Sequence, residues 1–239
     1  QLVFSVGRRS TDPGGVHGTC DMIRVGIVDS GVPVTGSSNA RANIVDAADF
    51  SDSGNCDDFL GHSTVVSEAI AAAGDVDFVH AKVFGQRLAC PASSVVRALD
   101  WLFESDVQVI NMSFGMARAD SAMRVLLDQI RASGITVVAA SPAQGGAVYP
   151  AAFPGVIRAT GDARCAPNQI SFLDSEQADF GGCVGNPTAG VAGASIGCAH
   201  VVRTVCKLLT RDRALTPEQV YQGLKECARW RGREYKVLS

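Results

Sequence analysis

The chain has 239 residues, 46% of them hydrophobic and 19% charged, with a net charge of −3. That length and balance fit one soluble α/β domain with a sizeable core. Basic residues form no stripe, so nothing favours nucleic acid or an anionic membrane, and no apolar run approaches the ~20 residues that span a bilayer.

Gln1 to Arg9 lack the apolar stretch and small-residue cleavage site of a signal peptide. Gln1 is not a start methionine, which leaves location open. The eight cysteines (Cys20, Cys56, Cys90, Cys165, Cys183, Cys198, Cys206, Cys227) are an even count that would suit disulfides in a secreted protein. No C-x-x-C pair occurs, and the spacing matches no zinc template. Cys198 and Cys206 fall on one expected helix, ~12 Å apart at ~1.5 Å per residue, too far to bridge each other. Buried free thiols are the favoured reading, and with them a cytoplasmic over a secreted location.

Short apolar runs alternate with helix-period segments along the chain, the pattern of βαβ units and a parallel sheet. Met22 to Val28 (MIRVGIV) is expected to be a buried strand ending at Asp29-Ser30-Gly31. A small-residue helix follows His62, from Ser63 to Ala73, and Asp77 to Phe84 is the next strand. Ser93 to Glu104 is an amphipathic helix with Ser93 or Ser94 as its cap. Val107 to Phe114 is a strand, and Ala119 to Ala132 a helix stopped by Gly134. Ile135 to Ala140 and Gly155 to Gly161 are further strands. After a glycine-rich loop, Ala194 to Leu209 forms a long apolar helix. Thr216-Pro217-Glu218-Gln219 opens the last helix, with Thr as N-cap, Pro at N1 and Gln at N3.

In open parallel sheets chemistry sits beyond the carboxyl ends of the strands. Asp29, Ser113 and the Ser141 to Gly146 loop fall at such ends. Three motifs carry chemistry there: Val28-Asp29-Ser30-Gly31, Gly61-His62-Ser63-Thr64, and the stretch from Gly193 to Val201 around Ser195. A serine hydroxyl is nearly inert at neutral pH until a base takes its proton, and the base needs a carboxylate to fix its tautomer. A serine at a helix start also places its own N–H toward the oxyanion formed on attack. Taken singly, each motif has a bland alternative: a strand-ending turn, a helix cap with an idle His, a small-residue helix start. Taken together they follow the chain order Asp, His, Ser of the subtilisin triad.

The resemblance to the subtilase family is carried by four ordered motifs. Asp29-Ser30-Gly31 matches D-[ST]-G. Gly61-His62-Ser63-Thr64-Val65-Val66 matches G-H-G-T-x-V with Ser for the second Gly. Gly193 to Val201 (GASIGCAHV) matches G-T-S-M-A-x-P-H-V with four replacements, and Val109 to Gly115 (VINMSFG) resembles V-I-N-M-S-L-G. The resemblance runs from Ile23 to Leu224. It implies a three-layer α/β/α subtilisin-like fold with a central, mostly parallel sheet, an arm of residues 1–22, and one peptidase domain over residues 23–239. It further implies Asp29, His62 and Ser195 as the catalytic triad, and Ser113, Phe114 and Gly115 as the strand that pairs with substrate backbone. His17, His80 and His200 are poorer candidates for the base: each fits packing or solvent better. The Asn111-Met112-Ser113 sequon lies in a buried strand and is no glycan acceptor.

Where the family's oxyanion loop reads A-A-G-N, this chain has Ala139-Ala140-Ser141-Pro142-Ala143-Gln144. Ala143 falls on the Asn position, so Gln144 and Ser141 become the candidate donors. Losing one donor typically costs ~10²–10³-fold in turnover, which points to a slow, selective endopeptidase. Val148 stands where many relatives carry the glycine of the pocket floor, implying small P1 residues; Val95 and Phe114 are expected further upstream. The turn Ala71-Ala72-Ala73-Gly74-Asp75 lacks the insertion that holds calcium in many relatives, so no metal or cofactor is expected; the acidic stretch Asp49 to Asp58 fits solvated loop charge. A monomer acting on peptide or protein is expected. The alternatives are a pseudopeptidase that captures extended peptide on the Ser113–Gly115 edge, and a peptide ligase or cyclase on the same triad.

Overall fold

Apolar, β-branched runs build the centre of the molecule because strands covered on both faces need side chains that bury in both directions. The computed structural model describes residues 22–34, 43–74, 76–185 and 193–233. The expected N-terminal arm, with His17 and Cys20, lies outside them except for Met22.

The elements in order are β1 (Ile23–Asp29), β2 (Asn43–Asp49), α1 (His62–Ala71), β3 (Val76–Lys82), α2 (Ala92–Phe103), β4 (Val109–Met112), α3 (Ser121–Ala132), β5 (Thr136–Ala140), β6 (Ile157–Gly161), β7 (Ile170–Phe172), β8 (Phe180–Gly182), α4 (Ala194–Arg211), α5 (Pro217–Cys227) and β9 (Trp230–Arg231). They form one sheet in the order β2-β3-β1-β4-β5-β6-β8-β7-β9. Every pairing is parallel except β7 with β8.

Two cores cover the two faces. Ile23, Val25 and Ile27 of β1 pack with Val66 and Ile70 of α1 and with Val201, Val202 and Val205 of α4. Val28 faces the other way, into Val95, Leu99 and Leu102 of α2 and Met123, Leu127 and Ile130 of α3. The fold is therefore a three-layer α/β/α sandwich. Each such Leu, fully buried, contributes about 1.5–3 kcal/mol. Helix α4 lies directly on the sheet, and Gly197 makes that approach possible: a Cβ there would overlap the Thr160 carbonyl oxygen of β6.

Local signals at helix ends were followed unevenly. The α5 capping box forms, with Thr216 N donating to Gln219 Oε1 at 2.8 Å and Gln219 N to Thr216 Oγ1 at 3.3 Å. Gly134, at φ 95°, stops α3. The cap of α2 is neither Ser93 nor Ser94: Pro91 holds the N-cap position without a side-chain bond, because proline is already extended there. Helix α3 starts after Asp120, whose Oδ1 accepts Met123 N at 2.9 Å, rather than at Ala119. Strand β2 carries two acids and has no buried residue at the sheet edge, so it lacks a core-facing apolar signature.

The connection pattern fixes where a site can lie. From β1 the chain moves outward to β2 and β3, then returns to lay β4 on the opposite side of β1. The border between β1 and β4 is the topological switch point. Asp29 ends β1 there, and Ser113 follows directly after β4.

Candidate active site

Asp29, 1% exposed, is the last residue of β1. Its Oδ1 accepts the Ser30 N–H at 2.7 Å. His62 opens α1 and places Nδ1 at 2.8 Å and 2.9 Å from the two Asp29 oxygens. The first turn of α1 has free N–H groups that need acceptors. Asp58 accepts from the N-cap Gly61 N at 2.9 Å, Thr64 N at 2.8 Å and Thr64 Oγ1 at 2.7 Å. Ser30 Oγ ties the two carboxylates, at 2.7 Å from Asp58 Oδ1 and 3.1 Å from Asp29 Oδ1. Buried Lys82 donates to the Asp57 carbonyl at 2.7 Å and so anchors the segment leading into His62.

Burial lowers the basicity of His62, but the hydrogen bond and charge of Asp29, with the charge of Asp58, outweigh it and raise the imidazole above 6.5. The other described histidines do not touch this pair. His80 is buried in β3, and burial pushes it down to about 4. His200 is lowered by burial and by Arg203.

Ser195 is half-buried in the first turn of α4. Its Oγ donates to the Ser113 carbonyl at 2.9 Å, and the Ser113 hydroxyl donates to the Ser195 carbonyl at 3.1 Å. Asn111 Nδ2 donates to Ser113 Oγ at 3.0 Å, and the Cys198 thiol bonds Asn111 Oδ1 at 3.4 Å. The start of α4 is thus clamped to the end of β4, one strand away from Asp29. Residues 186–192, which lead into α4, lie outside the described residues.

Phe114 packs edge-on to Phe84, with ring centroids 5.3 Å apart, and Gly115 is exposed. Met116 and Tyr149 exchange backbone hydrogen bonds at 2.7 Å and 2.8 Å, which draws the 141–149 loop beside this strand. Val148 fills the gap: a Cβ added to Gly115 would meet Val148 Cγ2 at 2.9 Å. Val95 is fully buried in the same cluster as Phe114 and Val148. Ala143 and Gln144 are exposed at the loop tip. The Ser141 hydroxyl points elsewhere and donates to the Gln177 carbonyl at 2.6 Å. A cavity of ≈ 550 Å³ opens beside Gln144, bounded by Thr160, Gly161, Asp162 and Val184.

Ser30, Asp58 and Asn111 are the site residues that the motif reading passed over. Asp58, four residues before His62, carried a signal: an acid just upstream of a helix start is a natural acceptor for its first amides. Among the described residues no group of three or more His, Cys, Asp or Glu is placed to hold a metal ion. Asp49 spends its oxygens on Ser51, Ser53 and Gly54 of its own loop. Seven cysteines are free among the described residues. No described helix is long and apolar enough to cross a membrane.

A parallel α/β/α sheet with an Asp–His pair at its switch point and a serine opening the neighbouring helix defines the class of a subtilisin-like serine peptidase. The subtilase family profile matches residues 21–236, so the chain belongs to that family. It is 29% identical over 233 residues to subtilisin DY of Bacillus licheniformis, covering 86% of this chain and 83% of that protein. To subtilisin E of Bacillus subtilis it is 25% identical over 240 residues, 89% of this chain but 62% of that protein. A crystal structure of a cold adapted subtilisin-like serine proteinase has the same fold, with a TM-score of 0.65 at 20% identity over 85% of this chain and 81% of the other.

Proposed function

We propose that the chain is an endopeptidase working through an acyl-enzyme on Ser195, with His62 as general base and Asp29 as its orienting carboxylate. The observation that carries this reading is the close contact of His62 Nδ1 with both Asp29 oxygens. It fixes the tautomer with the proton on Nδ1 and leaves Nε2 to take the serine proton, then return it to the leaving amine. An extended substrate lying on Ser113–Gly115 competes for the Ser113 carbonyl that Ser195 Oγ holds, and so frees the nucleophile for His62.

The oxyanion would be met by the Ser195 N–H at the start of α4 and by the Gln144 amide. Ala143 has no donor side chain, and Ser141 has committed its hydrogen to Gln177. An oxyanion that Gln144 does not reach would instead lower turnover about 10²–10³-fold below that of a complete hole. Val148 against Gly115 supports a short pocket and small P1 residues.

A fluorophosphonate or sulfonyl fluoride probe tests the reading: the wild type should label, and Ser195→Ala should not. The second reading is a peptide-binding module, favoured by the bond that parks Ser195 Oγ on Ser113 rather than on His62. A well-folded wild type that never labels would decide for it.

A further inference from the structure

Two residues that the catalytic reading leaves unused meet behind the Asp29–His62 pair. Ser63 stands where the family motif carries its second glycine, and His80 lies inside β3. Ser63 Oγ and His80 Nδ1 are 3.2 Å apart, with the residues 0% and 1% exposed. Neither can touch substrate. Ser63 is bonded twice, since its N–H donates to Ser30 Oγ at 3.0 Å, the oxygen that lies between Asp29 and Asp58. Ser30 belongs to the Asp29-Ser30-Gly31 turn that ends β1. The pair therefore spans from the turn holding Asp29 to the helix turn holding His62.

Stability does not explain it. His80 Nε2 is buried with no hydrogen-bond partner, and an orphaned polar atom in a packed interior is a cost that an apolar side chain would avoid. Burial keeps the ring uncharged near neutral pH, so its bond to Ser63 joins two neutral groups. Asp58 faces both His80 and His62 through its charge, and Asp29 faces His62 directly.

We propose that Ser63 and His80 are a positioning pair, whose buried hydrogen bond fixes the first turn of α1 on β3 and so holds His62 Nδ1 against Asp29. The proposal rests on His62 being the general base. The test compares wild type with Ser63→Ala, His80→Ala, the double variant and Ser63→Thr. It reads His62 titration by NMR, kcat and KM on a peptide substrate, and thermal melting. Both single variants should bring the His62 midpoint down toward 6.5, with no further fall in the double variant, while Ser63→Thr retains the wild-type value. Turnover should fall on the order of ten-fold, less than the ~10²-fold that a 1 Å misplacement costs, with KM nearly unchanged; melting should fall in His80→Ala, which empties a buried space, and less in Ser63→Ala. An unaltered His62 midpoint in folded Ser63→Ala overturns the proposal, as does full additivity in the double variant. If His80→Ala fails to fold, Ser63→Ala decides alone, since it removes one oxygen. The titration needs no activity, so a wild type that refuses the fluorophosphonate sinks the catalytic reading while the pair is still decided by NMR.

Discussion

Burial alone would make His62 a weaker base, yet the bond and charge of Asp29 and the charge of Asp58 hold its imidazole above 6.5. In the proposed mechanism the active form is the neutral ring, and a raised value means the proton stays on to higher pH. The acid limb of kcat/KM should therefore have its midpoint above 6.5 and activity should fall as pH drops through it. Asp29→Asn should lower that midpoint and cut kcat by up to ~10⁴-fold, as loss of the orienting carboxylate does in such triads; a pH–rate profile of both proteins checks the pair of effects. Ala143 offers the complementary gain. Restoring an amide with Ala143→Asn should raise kcat by up to ~10²-fold if the oxyanion lacks a donor there, and single-turnover acylation kinetics would show it. Motif spacing pointed to Asp29, His62, Ser195 and Ala143. It gave no sign of Ser30 bridging two carboxylates, because that contact depends on α1 folding back over the end of β1.

At the scale of elements, the proposed P1 pocket would be made by two walls from distant parts of the chain. Residues 113–116 continue β4, and residues 141–149 continue β5; the Met116–Tyr149 backbone pair brings them together. Val148 then occupies space beside Gly115. Wild type should cleave after alanine faster than after phenylalanine, and Val148→Gly should reverse or level that preference, which a P1 peptide panel measures. Faster cleavage of the phenylalanine series by wild type would sink the short-pocket reading. The strand and helix periods were legible for β1, β3, β5 and α2 to α5. Strand β2 was not, since an edge strand with two acids and no buried residue needs only backbone partners from β3. Helix α2 took Pro91 rather than a serine at its N-cap because the chain already arrives extended, at ψ 151°.

For the whole molecule, stability rests on two apolar layers covering both sheet faces. Among the described residues no cluster stands ready for a metal, and the Asp49 carboxylate is held below its usual range: burial would raise it, but hydrogen bonds from Ser51, Gly54 and Ser53 prevail. An acid already saturated by its own loop has little to offer a cation that wants six or more oxygens. The melting temperature should therefore stay within about a degree when a chelator is added; a large fall would reveal a metal that supports the fold.

The sequence by itself determined the alternating α/β order, the apolar interior, and the identity and chain order of the residues proposed as catalytic, because hydrophobic period and short motifs are local properties. Only the tertiary structure decided how those residues meet. The reversal of strand order at β1 and β4 puts Asp29 and Ser113 on one edge, although 83 residues of unrelated local signal separate them. It also set Ser63 against His80 and turned Ser141 away toward Gln177. Such contacts join groups far apart in the chain and follow from packing, which no window of residues contains. The proposed Asp-His-Ser machinery is thus written in the motifs, while its support and its pocket are products of the fold.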